Sequence, residues 1–238
     1  MESVVHLFAN LACDLVGLHW LLAHRPDQLR TFEDQAAQVG RGNDIYFGGD
    51  AQAPGVGDAL RDLPQGATIH APVTWLGAIS EAWSGKVNRL GCWEWRFPAD
   101  APPPEKAAPA VKVVPLTAAL LHKLPETGLE RLVEPYASTE EFLDLSFGFA
   151  VVQQAKIVAA CTAFYIARSA ADLATETYPS MRNNGFGAAV LRASLREALL
   201  RGLQPQVHAS ACNAPITRIV ERLGFAPPET YELYGRLT

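Results

Sequence analysis

The sequence predicts a mixed α/β fold, and three observations carry that reading. The C-terminal half alternates short apolar runs with amphipathic stretches in the order β-β-β-α-β-α-β. One of its strands runs into a turn with two glycines that opens a long helix over residues 187–201. There Val190, Leu191, Leu195, Ala198 and Leu199 recur at helical spacing. Hydrophobic residues make up 49% of the 238, dispersed along the chain, which suits a packed core rather than disorder.

Taken in order, residues 4–23 and 28–39 read as helices, broken at Arg25-Pro26-Asp27. Residues 44–47 form a short strand closed by Gly48-Gly49-Asp50, and residues 52–66, rich in Gly, Pro and Asp, read as loop. A short helix follows over 75–83 and a strand over 92–97, in which Trp93 and Trp95 point to one side and Glu94 to the other. Residues 98–109 hold five prolines (98, 102, 103, 104 and 109), too few backbone donors for anything but a linker or exposed connection. Beyond it, strands are predicted over 112–116, 147–153, 156–166, 173–177, 206–209 and 231–237, and helices over 116–123, 187–201 and 215–223. Strands 147–153 and 156–166 turn at Gln154-Ala155. No internal repeat is visible. Two parts are expected, an N-terminal region, 1–110, and a second domain, 111–238. All five tryptophans (Trp20, Trp75, Trp83, Trp93, Trp95) fall in the first part, as a dense core or an aromatic binding pocket; for any one indole, core is the stronger reading.

Charge and cysteine usage exclude several classes. With 20 Lys+Arg against 25 Asp+Glu the chain offers no broad field for nucleic acid. Cys13, Cys92, Cys161 and Cys212 are widely spaced without a CxxC pair, which suggests buried free thiols in a reducing compartment. His19 and His24 do not share a helical face, so no metal is expected. Residues 4–22 are apolar, yet His6, Asp14 and His19 interrupt them and no basic segment precedes them. Leu11-Ala12-Cys13 resembles a lipoprotein cleavage site, but Asn10 stands where a large apolar residue belongs. The segment reads as an amphipathic helix opening a domain with no membrane partner, and the location expected is cytoplasmic.

The chemistry concentrates in residues 175–190. A strand ends, a turn with Pro179 follows, and the helix starts at Gly185 and Gly187. A helix start presents unpaired N–H groups and a positive dipole end, suited to phosphate oxygens. The glycines let the backbone approach a pyrophosphate with no Cβ in the way, and Arg182 adds positive charge. A glycine-rich helix start also occurs in dinucleotide-binding and P-loop domains, but neither Gly-x-Gly-x-x-Gly with its acid nor Gly-Lys-Ser/Thr is present.

Arg182-x-x-Gly185-x-Gly187 resembles the signature of the GNAT (GCN5-related N-acetyltransferase) superfamily. Residues 213–225, an Asn213-capped helix ending in Leu223-Gly224-Phe225, are similar to that superfamily's second landmark. Within it, the closest likeness is to a bacterial branch with a long N-terminal region and a Thr-x-Pro-x-x-Arg turn, matched by Thr177 to Arg182; that branch includes self-resistance enzymes that acetylate antibiotics. The likeness spans roughly 147–236. It implies a GNAT fold in which two central parallel strands splay to hold the pantetheine arm of acetyl-CoA, the expected acyl donor. By residue-wise carry-over, Thr175, Glu176, Thr177, Arg182, Asn183, Asn184, Gly185, Phe186, Gly187, Ala188 and Asn213 bind the cofactor. Asn213 is first a helix N-cap, and Gly224 and Phe225 read as C-cap and core. The likeness further implies direct transfer to an amine, with Glu176 as base or amine anchor and Asp172 as the competing carboxylate. Many relatives place an acidic tyrosine where this chain has Val220, leaving Tyr231, Tyr234 or water as the general acid. His208 and Cys212 read as structural. The likeness implies that 111–238 is the acyl-CoA-binding catalytic domain and 1–110 the acceptor-side region; the acceptor expected is a small-molecule amine, and a homodimer is compatible with the sequence without being required. The alternative is a non-catalytic acyl-CoA-binding sensor or scaffold.

Overall fold

The computed structural model describes residues 2–11, 15–104 and 111–237. Cys13, most of the Leu11-Ala12-Cys13 motif, and Pro109 with the end of the proline stretch lie outside the described residues. The chain divides into two compact units. One draws on Met1–Glu94, Ser210–Cys212 and Glu229–Thr238, the other on Trp95–Ala209 and Asn213–Pro228.

The first unit contains α1 (Glu2–Val5), α2 (Leu15–His24), β1 (Arg30–Phe32), β2 (Ala36–Arg41), β3 (Asp44–Gly49), α3 (Val56–Arg61), β4 (Thr68–His70), α4 (Leu76–Ala82) and β5 (Val87–Arg96). The helix expected over 4–23 is interrupted: α1 passes into a 3₁₀ turn at His6–Phe8, and α2 starts only at Leu15. The helix expected over 28–39 is instead the β1–β2 hairpin. Glu33 and Asp34 close it in left-handed conformations, with φ of 48° and 57°. Burial overrides the helical leaning of the Ala-Gln-rich segment, because Ala36, Ala37 and Val39 are sealed completely in the core. β2 and β3 join through Gly42-Asn43, where Gly42 has φ of 60°. The stretch read as loop over 52–66 contains α3, whose Val56, Ala59 and Leu60 are buried at helical spacing.

Within this unit the strand order is β1-β2-β3-β4-β11-β5, where β11 (Glu229–Arg236) is the last strand of the chain. β3 and β4 run parallel and the other neighbours antiparallel. Trp75, Trp83, Phe47, Ile69 and Tyr234 pack one core. Trp20, Trp75, Trp83 and Trp95 are all buried and Trp93 half-buried, so the indoles are mainly core. Glu94, expected to face away from the indoles, is itself only 1% exposed.

The second unit contains β6 (Val113–Pro115), α5 (Ala118–Leu121), α6 (Thr139–Leu145), β7 (Gly148–Gln153), β8 (Lys156–Ala167), β9 (Ala170–Thr177), α7 (Phe186–Leu200), β10 (Gln204–Ser210) and α8 (Ala214–Leu223). Here the predicted elements stand where expected, within a few residues. The sequence reading missed α6, whose N-cap Ser138 accepts the Glu141 N–H through Oγ at 3.1 Å, while the Glu141 carboxylate reaches back to the Ala137 N–H before the cap. The order is β10-β9-β8-β7-β6, antiparallel except for parallel β9 and β10. Gln154 and Ala155, with φ of 48° and 63°, make the predicted β7–β8 turn. Among the described residues, no helix is long and apolar enough to cross a membrane.

Candidate active site

β9 and β10 are hydrogen-bonded neighbours at their starts only. Ala170 pairs with Gln204, Ala171 with Pro205 and Asp172 with Gln206, and the register ends there. Beyond it Leu173–Thr177 on one side and Val207–Ser210 on the other form the open arms of a fork, the splay that the family resemblance implies.

The two faces of β9 do different work. A Cβ built on Gly187 would lie 3.0 Å from Thr177 Oγ1 and 3.7 Å from Thr175 Cγ2, so the start of α7 rests on the odd-numbered face. Small residues let the helix come this close: Cys161 lies opposite Thr175, and Ser194 Oγ of α7 donates to Cys161 O at 3.3 Å. Burial pushes the Cys161 thiol up to about 11, although the Ser194 and Thr175 hydroxyls beside it pull the other way. Such a thiol is no nucleophile at neutral pH. Cys92 is likewise buried and Cys212 exposed, so the expectation of buried thiols fails at Cys212.

Asp172 and Glu176 share the opposite, even-numbered face. A bulge does intervene, but on β8: Ala163 and Tyr165 face Leu173 and Asp172, and Phe164 is the extra residue. The alternation of β9 is therefore intact. By the same parallel register Gln206 and His208 of β10 belong to this face. Thr162, opposite Ala174, donates through Oγ1 to Leu132 O at 2.8 Å and fastens the 3₁₀ turn Glu130–Val133 over it. That turn brings Glu130 and Arg131 to Glu176. Burial holds the Glu176 carboxyl above its ordinary value; Arg131 pulls it down, Glu130 pushes it up and Arg182 pulls it down. Asp172 is the more deeply buried of the two carboxylates. Nothing in the sequence pattern pointed to Glu130 or Arg131, since a 3₁₀ turn has no lasting periodicity to read.

The residues expected to hold the cofactor lie at the end of β9, in the turn after it and at the start of α7, with Asn213 apart from them at the cap of α8. Arg182 Nε donates to Thr177 O at 3.4 Å, closing the end of β9. Asn184 Nδ2 donates to Met181 O and Arg182 O, both at 3.1 Å, and fixes the turn. Asn183 and Gly185 are left-handed, with φ of 65° and 77°, and Gly185 is the N-cap residue of α7. The first intrahelical bond runs from Ala189 N–H to Gly185 O, so the N–H groups of Phe186, Gly187 and Ala188 lie ahead of it. Asn213 caps α8, accepting the Ile216 N–H through Oδ1 at 3.4 Å. Ile219 of α8 reaches to 3.7 Å from the Gly187 Cβ position, setting that helix beside the start of α7. Gly224 is a left-handed C-cap, and Phe225 packs edge-on against Phe97. Val220 is fully buried. Tyr231 and Tyr234 belong to β11 in the first unit, where burial raises the Tyr234 phenol above its usual value. Among the described residues no cluster of His, Cys, Asp or Glu suits a metal.

The family model described as GNAT acetyltransferase matches residues 33–234. The chain belongs to the GNAT acetyltransferase family. The GNAT likeness, expected over roughly 147–236, thus reaches back through most of the first unit. An uncharacterised N-acetyltransferase of Bacillus subtilis (strain 168), YdfB, is 25% identical over 101 residues, which are 42% of this chain and 39% of that protein. The chain therefore spans well under half the length of this curated relative. Among solved structures, a GCN5-related N-acetyltransferase-like protein from Streptococcus suis 89/1591 superposes with a TM-score of 0.78 at 16% identity, over 99% of this chain and 97% of the other. A putative GNAT-family acetyltransferase from Novosphingobium aromaticivorans DSM 12444 gives 0.61 at 18% identity, over 93% and 96%. At these identities both speak for the GNAT fold.

Proposed function

We propose that this GNAT protein transfers an acetyl group from acetyl-CoA directly to the amine of a small molecule. The observation that carries the reading is the fork of β9 and β10 with the glycine start of α7 laid against it. Three features of that fork suit an acyl-CoA. The strand arms leave the backbone groups of Thr175 and the N–H of Thr177 without a neighbouring strand on the β10 side, available to the amides of a pantetheine arm. Thr175 Oγ1 is sealed from solvent with the Cys161 thiol beside it and no oxygen or nitrogen partner among the described residues. A Cβ at Gly187 would press on Thr177 Oγ1 at 3.0 Å, so the glycine seats the helix start on β9, and the N–H groups of Phe186, Gly187 and Ala188 precede the first intrahelical bond at the positive end of a 15-residue helix. Arg182 lies in this turn, and Asn213 caps α8, whose Ile219 reaches the same helix start.

Acetyl-CoA supplies the activated thioester, and the chain supplies position and a proton acceptor. Glu176 is the base or amine anchor. It lies on the face opposite α7, half-buried, and its raised pKa brings it closer to the operating range of a general base. Asp172, four residues earlier on the same face, stands at the paired end of the fork and is the competing carboxylate. No covalent acyl-enzyme is involved, in keeping with the raised pKa of Cys161.

The buried Val220 supports the second reading, an acyl-CoA-binding module without turnover. Both readings include acetyl-CoA binding, so binding does not separate them. The test is thiol release from acetyl-CoA with a panel of amino sugars, polyamines and peptide amines. Release with at least one amine, above hydrolysis, is the outcome expected of the enzyme. Acetyl-CoA binding with no release across the panel would favour the module.

A further inference from the structure

The first unit repeats the path of the second, element for element. In the first, β1, β2 and β3 form an antiparallel meander, α3 crosses over, β4 returns parallel to β3, and α4 and β5 follow. In the second, β7, β8 and β9 form the meander, α7 crosses over, β10 returns parallel to β9 and α8 follows; β11 comes next along the chain but joins the first unit. The crossover helices even begin alike. Gly55, the N-cap residue of α3, has φ 86° and ψ −11°; Gly185, the N-cap residue of α7, has φ 77° and ψ 0°. Around them stand Gln52-x-x-Gly55-x-Gly57 and Arg182-x-x-Gly185-x-Gly187, two copies of one turn pattern.

The parallel pairs agree as well. Three residue pairs join β3 to β4, from Asp44 with Thr68 to Tyr46 with His70, and then the register ends. Three pairs join β9 to β10 before that fork opens. Laid register on register, Gly49 falls on Thr175. In the first unit that strand arm is not left open. Trp75, wholly buried, donates from Nε1 to Gly49 O at 3.1 Å, and its ring packs against Phe47 with centroids 5.2 Å apart. The helix start differs in charge too: α3 carries Asp58 in its first turn, whereas the first turn of α7 has no acid. Carboxylates at a helix N-terminus already answer its dipole and repel phosphate.

We infer that the first unit is a second copy of the GNAT fork, closed from within by Trp75, so that each chain carries two glycine turns and uses one for acyl-CoA. The indole fills the opening and satisfies the strand carbonyl that a pantetheine amide would otherwise meet. The count of one rests on the acyl-CoA reading of the β9–β10 fork; the closure of the other fork does not.

Calorimetry with acetyl-CoA on the full chain tests the count, and thermal denaturation tests the plug. One equivalent per chain is expected, and two would overturn the inference. Gly187→Ala should weaken that binding at least tenfold; one full-affinity equivalent remaining in the folded variant would overturn it. Gly57→Val meets only the flexible Arg61 guanidinium, 3.5 Å away, and should leave affinity within twofold. A tenfold loss there would mean that the first turn binds the cofactor and would overturn the inference. Trp75→Phe keeps a ring but removes the donor to Gly49 O, and should lower Tm by about 5 °C. An unchanged Tm would overturn the plug. No binding at all would remove the acyl-CoA reading of the second fork, and the Tm result would still decide the closure of the first.

Discussion

The two units follow one chain path, but the first fills its crossover with large aromatic rings and the second with alanines. Phe47, Trp75, Trp83 and Tyr234 pack together in the first core. Beneath α7, by contrast, stand Ala159, Cys161 and Ala163, all sealed from solvent. Small residues let the helix settle on the strands and leave the strand ends free; rings brace the helix and occupy those ends. Helix length follows the same division, with six residues in α3 and fifteen in α7. The lesson is that a glycine turn does not by itself make a cofactor site. Side-chain volume at the strand ends decides whether the same path becomes a cleft or a core.

The largest effect should come from the strand that the first unit receives from the end of the chain. β11 pairs with β4 on one side and β5 on the other, and brings buried Tyr234 into the core. Removing residues 229–238 should abolish the near-ultraviolet circular dichroism of the indoles and the cooperative melt. A native near-ultraviolet spectrum after that removal would show the first unit to be independent of β11.

Next in size is the proposed base. Glu176→Gln keeps shape and removes charge, and should lower kcat by roughly 10²–10⁴-fold with little change in acetyl-CoA affinity. Because burial raises the Glu176 pKa, the acidic limb of kcat/KM should lie above the ordinary glutamate value near 4.5 and vanish in the variant. Should Asp172→Asn produce that pattern and Glu176→Gln not, the two carboxylates exchange roles.

Packing variants probe the comparison directly. Ala159, opposite Thr177, lies on the face that α7 covers. Ala159→Leu overfills that contact, at about 1–3 kcal/mol of stability, and should weaken acetyl-CoA binding by lifting the helix. Trp83→Phe removes the 2.9 Å bond from the indole to Leu60 O in the first core, at a cost of about 1–3 kcal/mol, and should leave that affinity alone. Equal effects of both on binding would erase the distinction between cleft and core.

The smallest effect is a gain. A carboxyl whose folded pKa exceeds its unfolded one loses stability as pH rises through that window, because the folded state then holds more protons. Glu176→Gln should therefore raise Tm slightly at pH 7 and not at pH 4. A lower Tm at pH 7 would show that Arg131 and Arg182 outweigh burial at this site.

The second unit was legible because its signals are local. The glycine turn, the Asn213 cap and the Gly224-Phe225 ending each declare an element boundary within a few residues. In the first unit local signals pointed the wrong way. The Ala-Gln run of residues 35–39 favours a helix in isolation, and only burial makes it a strand. β4 is three residues long, too short for alternation to register. The second glycine turn was in plain view at Gln52 to Gly57, but the same glycines and prolines that build it made the stretch read as loop. Glu130 and Arg131 reach Glu176 through a hydroxyl-to-carbonyl bond from Thr162, and no spacing rule anticipates that contact.

The position of β11 also bears on the order in which the molecule can be made. Synthesis is vectorial, so residues 30–96 leave the ribosome long before 229–236 exist. Until then β4 and β5 lack the strand that lies between them, and each shows unpaired backbone to its surroundings. The nascent first unit must wait, part-assembled, while the second can already close its own sheet. Slow translation or a stall in the final stretch would lengthen that exposure, and holdase chaperones should be retained on the nascent chain until β11 emerges.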